Sequence, residues 1–242
     1  MKAKIFKVIT LVIITLSLLS CGRNEKKTIK MVNSVDITVE ESKTYLEKDQ
    51  YLPIGTIVSV AGIEGKIMII DRVIIYERDN YEVAYDYFGA HYPQGTITVD
   101  NQVVFDKRHI EVIHQLGYVN EEFLEVADLL LESLGMKNES GFQDLLSKDI
   151  SQDLVDEFYD NGIVFPIGTV FEVDGESAII LGYNMKFAGW HKTFDYLIVR
   201  YPYGIVKAEN RAIDHKDIPR DSIRFLGYID DSFFEMITGE KK

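Results

Sequence analysis

Cysteine is nearly absent from this chain: among its 242 residues Cys21 is the single one. No intramolecular disulfide can form, so the fold has to be held by its core. Basic residues are also scarce, 26 Lys and Arg against 39 Asp and Glu, which leaves a formal charge of -13. Phosphate binding needs a concentrated basic face, so no nucleic acid partner is expected. Long hydrophobic runs are lacking as well. The apolar stretch Val8 to Leu19 falls short of the ~20 residues a helical bilayer span needs.

What surrounds that stretch gives it a use. Lys2, Lys4 and Lys7 precede it and Ser20-Cys21 follows it, the layout of a signal peptide over residues 1–20. The junction Leu18-Leu19-Ser20-Cys21 resembles a bacterial lipobox. That resemblance implies acylation (palmitate-like chains) at Cys21 and attachment to the extracytoplasmic face of the cell membrane. An ordinary secretory signal with an unrelated cysteine is the alternative. Each buried methylene contributes roughly 0.8 kcal/mol, and a two-chain group anchors stably. Removal of residues 1–20 takes away three lysines and no acid, moving the formal charge from -13 to about -16. An anionic membrane then repels the body. Residues 21–48, with Arg23, Lys26, Lys27 and Lys30, read as anchor and spacer; an extra strand around Met31 to Val39 is the rival reading.

The rest of the chain is written twice. LPIGTIVSVAG (Leu52 to Gly62) is followed by KIMIIDR (Lys66 to Arg72), YDYFGAHYPQG (Tyr85 to Gly95), FDKRHI (Phe105 to Ile110) and LGYVNEEF (Leu116 to Phe123). FPIGTVFEVDG (Phe165 to Gly175) is followed in the same order by SAIILGY (Ser177 to Tyr183), FDYLIVRYPYG (Phe194 to Gly204), IDHKDI (Ile213 to Ile218) and LGYIDDSF (Leu226 to Phe233). A period of roughly 110 residues is long enough for each copy to be a small domain with its own core.

Each block has a local reading. Pro-Ile-Gly suits a turn, because proline presets φ and glycine takes positive φ without clash. The β-branched runs after it suit half-buried strands. Tyr-Pro-x-Gly reads as a turn closing a third strand, and Asp106 and Asp214 can cap a single helical turn. Asn120 opens an amphipathic helix with Phe123, Ala127, Leu130, Leu131 and Leu134 on one face, ended by Gly135. A second helical stretch is expected over Ser140 to Tyr159, and a shorter helix from Asp230 to Gly239. The predicted fold is mainly β with helical additions (α+β): two tandem small β-barrel-like, SH3-like modules joined by helices. A twisted open sheet with one helix is the alternative for each module. The boundaries are 49–135 for the first module, 136–160 for the helical connector and 161–242 for the second module.

In these blocks the chain resembles the family called domain of unknown function 4176, small proteins of Gram-positive bacteria often encoded near type VII secretion genes and their LXG-type toxins. The resemblance covers Leu52 to about Phe123 and Phe165 to about Phe233. Usual members have one copy and no lipobox. The family offers no established activity; its neighbourhood implies toxin export, toxin protection or envelope assembly.

Candidate site residues follow from what the copies share. The five histidines fall out of register, His215 opposite Lys107, His109 opposite Asp217 and His91 opposite Arg200, so no repeated metal site is expected. Motifs for zinc hydrolysis, a serine nucleophile or phosphate cradling are missing, and no cofactor is expected. Asp86 and Asp195 match, as do Asp106 and Asp214; as acid and base they could serve a wall hydrolase, or they are caps and strand-edge residues. Tyr87/Tyr196 and Tyr92/Tyr201 match, and Trp190 lies near. These aromatics, with Asp86 and Asp195, are the candidate interaction surface for a protein partner; filling the core is their bland use. The reading is a membrane-anchored surface lipoprotein that binds protein, as an immunity or accessory protein of a type VII-secreted toxin. A structural envelope component or a wall hydrolase is the alternative.

Overall fold

A computed structural model describes residues 51–78, 81–96, 101–136, 146–188, 191–205 and 211–239. The signal peptide, Cys21, the spacer, the rival strand at Met31 to Val39 and Trp190 lie outside the described residues. Strands β1 (Ile57–Val60), β2 (Lys66–Arg78), β3 (Tyr81–Tyr92), β4 (Gln102–Phe105) and β5 (Ile110–Gln115) form an antiparallel sheet ordered β4-β3-β2-β1-β5. Helices α1 (Glu121–Ser133) and α2 (Gln152–Asp160) follow. Then β6 (Val170–Val173), β7 (Glu176–Ala188), β8 (His191–Arg200), β9 (Arg211–Asp214) and β10 (Ile223–Phe225) form a second sheet ordered β10-β6-β7-β8-β9, and α3 (Asp231–Thr238) ends the described chain.

The fold is thus mainly β with helical additions. Neither sheet closes on itself. Within the first sheet β2 and β3 pair from Lys66↔Tyr92 to Arg78↔Tyr81, whereas β1 meets β2 at Ile57↔Met68 and Val58↔Ile67. Duplication extends to irregularities. The β2–β3 register slips between Ile69 and Asp71, and the β7–β8 register slips at the matching point between Ile180 and Gly182.

The repeated turn has an internal logic. Gly55 and Gly168 take φ of 88° and 86°, a region open to glycine. Thr56, fully buried, donates its hydroxyl to the Pro53 carbonyl at 2.7 Å and accepts the Gly117 N–H at 3.0 Å. Thr169 accepts the Gly227 N–H at 3.1 Å in the same way. So the first and last blocks of each copy are clipped together by one hydroxyl. The glycine after the last strand is required there: a Cβ on Gly227 would lie 1.9 Å from the Ile167 carbonyl oxygen, and one on Gly117 2.3 Å from that of Ile54.

Helix starts follow their caps. Asn120 accepts the Phe123 N–H at 2.8 Å to open α1, and Asp230 accepts the Phe233 N–H at 3.2 Å to open α3. Phe123, Leu131 and Phe233 bury the inner faces. Short 3-10 turns at Lys107–His109 and His215–Asp217 stand where Asp106 and Asp214 were expected to begin them. Of the helical stretch expected over Ser140 to Tyr159, residues 140–145 lie outside the described residues, and the described helix is Gln152–Asp160. Ser147 pairs with Val119 through both its amide, 2.8 Å, and its hydroxyl, 2.9 Å, and the Ile150 N–H donates to the Arg224 carbonyl at 3.0 Å. These bonds hold 146–150 outside a helix, which begins only at Gln152.

All described residues fall in one compact unit, because the copies interlock. The Tyr92 hydroxyl donates to the Tyr228 carbonyl at 2.8 Å, and the Tyr201 hydroxyl donates to the Tyr118 carbonyl. Gly95 bridges to Gly182, and the Thr96 N–H donates to the Leu181 carbonyl at 3.0 Å. Lys66 meets Asp230 at 2.6 Å. The two repeated strings themselves face each other: a Cβ on Gly168 would stand 3.4 Å from the Gly55 carbonyl oxygen.

Replacing the buried hydroxyl in Thr56→Val or Thr169→Val keeps the shape but orphans a glycine N–H. Urea unfolding is expected to show a loss of about 1–3 kcal/mol for each. Gly227→Ala, which sets a methyl against a carbonyl, is expected to cost more than either.

Candidate functional site

The structure places the candidate interaction residues inside the fold. Tyr87 and Tyr196 are fully buried, and their hydroxyls accept the Leu52 N–H at 2.9 Å and the Phe165 N–H at 2.8 Å. Tyr92 and Tyr201 are buried in the seam. The expectation of an exposed aromatic surface is corrected for these four: each phenol is the partner of a main-chain group left open by a turn or by the seam. Burial pushes the phenols of Tyr87, Tyr92, Tyr196 and Tyr201 above the ordinary tyrosine range. They stay neutral in the interior.

Asp86 is a cap. Its Oδ2 accepts the Lys107 N–H at 2.8 Å and its Oδ1 the Tyr51 hydroxyl at 3.4 Å. Asp195 is buried and lies opposite Asp214 in the β8–β9 ladder. Each acid thus serves its own copy's sheet. Among the described residues no group of three or more His, Cys, Asp or Glu is placed to hold a metal.

Two histidines are wedged among other groups. His215 Nδ1 lies 2.6 Å from the Tyr196 hydroxyl, and its ring packs on Phe165 and Tyr159 at 5.3 and 5.1 Å. His114 Nε2 lies 2.8 Å from Ser59 Oγ. Burial lowers the pKa of both; Lys66 lowers that of His114 further.

The copies differ where the β2 register slips. Asp71-Arg72-Val73 occupies the place of Gly182-Tyr183-Asn184 in β7. Tyr183 donates its hydroxyl to the Phe165 carbonyl at 3.0 Å within its own copy. Arg72 instead reaches across the seam, its Nη2 donating to the Pro202 carbonyl at 2.8 Å and its guanidinium lying 5.4 Å from the centre of the Phe123 ring. Arg72 is 8% exposed, and its Nη1 is buried without a hydrogen bond. Val73 has φ of 55°, a conformation that strains a β-branched residue. Beside these residues is a cavity of about 370 Å³. Val126, Leu129 and Leu130 of α1 form its apolar wall, and Tyr203 enters from the other copy's Tyr-Pro-x-Gly turn. The signal in the sequence was an acid and a base interrupting KIMIIDRVII where the matched block reads SAIILGY.

Because burial favours the neutral rings of His114 and His215, the unfolded chain binds their protons more tightly. Their contribution is complete above pH about 6.5 and is lost as pH falls through their lowered values. The urea midpoint is expected to drop as pH falls below about 6.5, and His215→Gln to flatten part of that drop.

A family model described as a domain of unknown function (DUF4176) matches residues 51–126 and again 164–236, more than half of the chain. Neither a curated protein nor a solved structure matches it. The two matched stretches hold the ten strands that fold into the paired sheets, and the chain belongs to the DUF4176 family, in two tandem copies.

Proposed function

We propose that this protein is a lipoprotein held at the extracytoplasmic face of the cell membrane through Cys21, and that it acts by binding a protein partner. The observation that favours binding over wall hydrolysis is the use made of the repeated polar side chains. Asp86, Tyr87, Tyr92 and the matching tyrosines are bonded to main-chain groups of the fold, so the residues kept in both copies serve the scaffold. Strand order supports it too: each sheet has a 3-10 turn immediately before its last strand, in keeping with an SH3-like module opened into a sheet, and SH3 domains take peptides.

The anchor rests on the lipobox-like junction before Cys21 and on the lack of any other use for that thiol. Among the described residues no helix is long and apolar enough to cross a membrane. The acidic body favours a basic partner and speeds encounter with it. The family neighbourhood points to a type VII-secreted toxin or a component of its export machine as that partner. An inhibitor tethered where a toxin arrives gains effective concentration.

Growth with labelled palmitate is expected to label the wild-type protein and to leave Cys21→Ser unlabelled and shed from membranes; label retained in Cys21→Ser removes the anchor. Cross-linking on intact cells followed by capture is expected to recover one protein encoded nearby. Co-expression with a neighbouring toxin is expected to restore growth, and unchanged killing rejects the immunity role.

A further inference from the structure

We propose that the cavity beside Arg72 is a binding site for an uncharged aliphatic amide, the chemistry of a partner peptide that offers a branched side chain beside a free main-chain carbonyl. Three features meet there and in no matching place of the second copy. The guanidinium of Arg72 carries a buried donor, Nη1, with no acceptor. A buried donor left open is destabilising, so an arriving carbonyl has something to satisfy. Val73 holds a strained backbone at the cavity edge, and such strain gathers at ligand sites. The third feature is the opening itself, about 370 Å³, in the lower part of the ~300–1,000 Å³ range of small-ligand pockets.

Charge selects among acceptors. Asp71 stands beside Arg72 and accepts its backbone N–H at 2.7 Å, so the floor carries one positive and one negative group. A neutral carbonyl fits that balance; a carboxylate would meet the fixed anion of Asp71. The wall chooses an apolar body. Leu129 lines the cavity and is 65% exposed, an apolar side chain left in water until something covers it. Leu130 and Val126 continue the same wall. Ser133, also at the rim, donates its hydroxyl to the Leu130 carbonyl at 2.7 Å, so that proton is engaged within the helix.

This inference deepens the binding role proposed above and rests on it for the identity of the occupant. The test uses the full-length protein in lipid nanodiscs and N-acetyl-leucine amide as probe, read by saturation-transfer NMR. Saturation transfer is expected, with a dissociation constant on the order of millimolar, and N-acetyl-leucine, its carboxylate analogue, is expected to bind at least about tenfold more weakly. Leu130→Trp, which fills the cavity from the helix side, is expected to abolish transfer with its circular dichroism unchanged; Val126→Phe serves in its place if that variant misfolds. Absence of transfer to wild-type, equal binding of the carboxylate, or transfer persisting in the filled variants overturns the site. Cross-linking that recovers no protein while the amide still binds removes the protein partner and leaves the cavity's chemistry standing.

Discussion

Two phenol hydroxyls, each donating to a carbonyl of the other copy, set the architecture of this molecule. Tyr92 reaches Tyr228 and Tyr201 reaches Tyr118, so residue i of one copy meets residue j of the other and the reverse. That is the pattern of an isologous dimer interface, held here within a single chain. A buried hydroxyl without a partner costs as much as a lost hydrogen bond. Each donor therefore fixes the other copy's last block against its own Tyr-Pro-x-Gly turn. The turn has no room to sit elsewhere: a Cβ on Gly95 would lie 2.2 Å from the Leu181 carbonyl oxygen, and one on Gly204 2.6 Å from the Asp71 carboxyl group.

Once the seam is fixed, the repetition of Pro-Ile-Gly-Thr is explained. Within a copy its threonine clips the last block to the first; between copies its glycine permits close approach of two backbones. Both tasks are geometric and identical in the two halves. The halves differ at Asp71-Arg72-Val73, where a residue of one half crosses to the other beside a cavity.

Much of the fold was legible because its signals are local. Gly55, Asn120, Asp106, Asp214, Asp230 and Gly239 mark turns and helix ends through chemistry confined to a few neighbours, and each stands where that chemistry places it. Long-range choices were not legible. Periodicity over 140–159 reads as helix, yet Ser147 and Ile150 are claimed by Val119 and Arg224, far away in sequence. The matched tyrosines were visible as a set, but whether a tyrosine faces water or a distant carbonyl depends on tertiary contacts that no spacing reveals. The Asp-Arg interruption of an apolar run was on view among the matched blocks, and only the buried Nη1 of Arg72 gave it meaning.

The central claim is that the two copies fold as one body because their seam is shared. Trp190, the single tryptophan, belongs to the second copy, while far-UV circular dichroism reports on both. Equilibrium urea unfolding followed by both signals is the most direct test. The account predicts superimposable transitions with one midpoint. A circular dichroism curve that resolves a second step, away from the fluorescence transition, would contradict it.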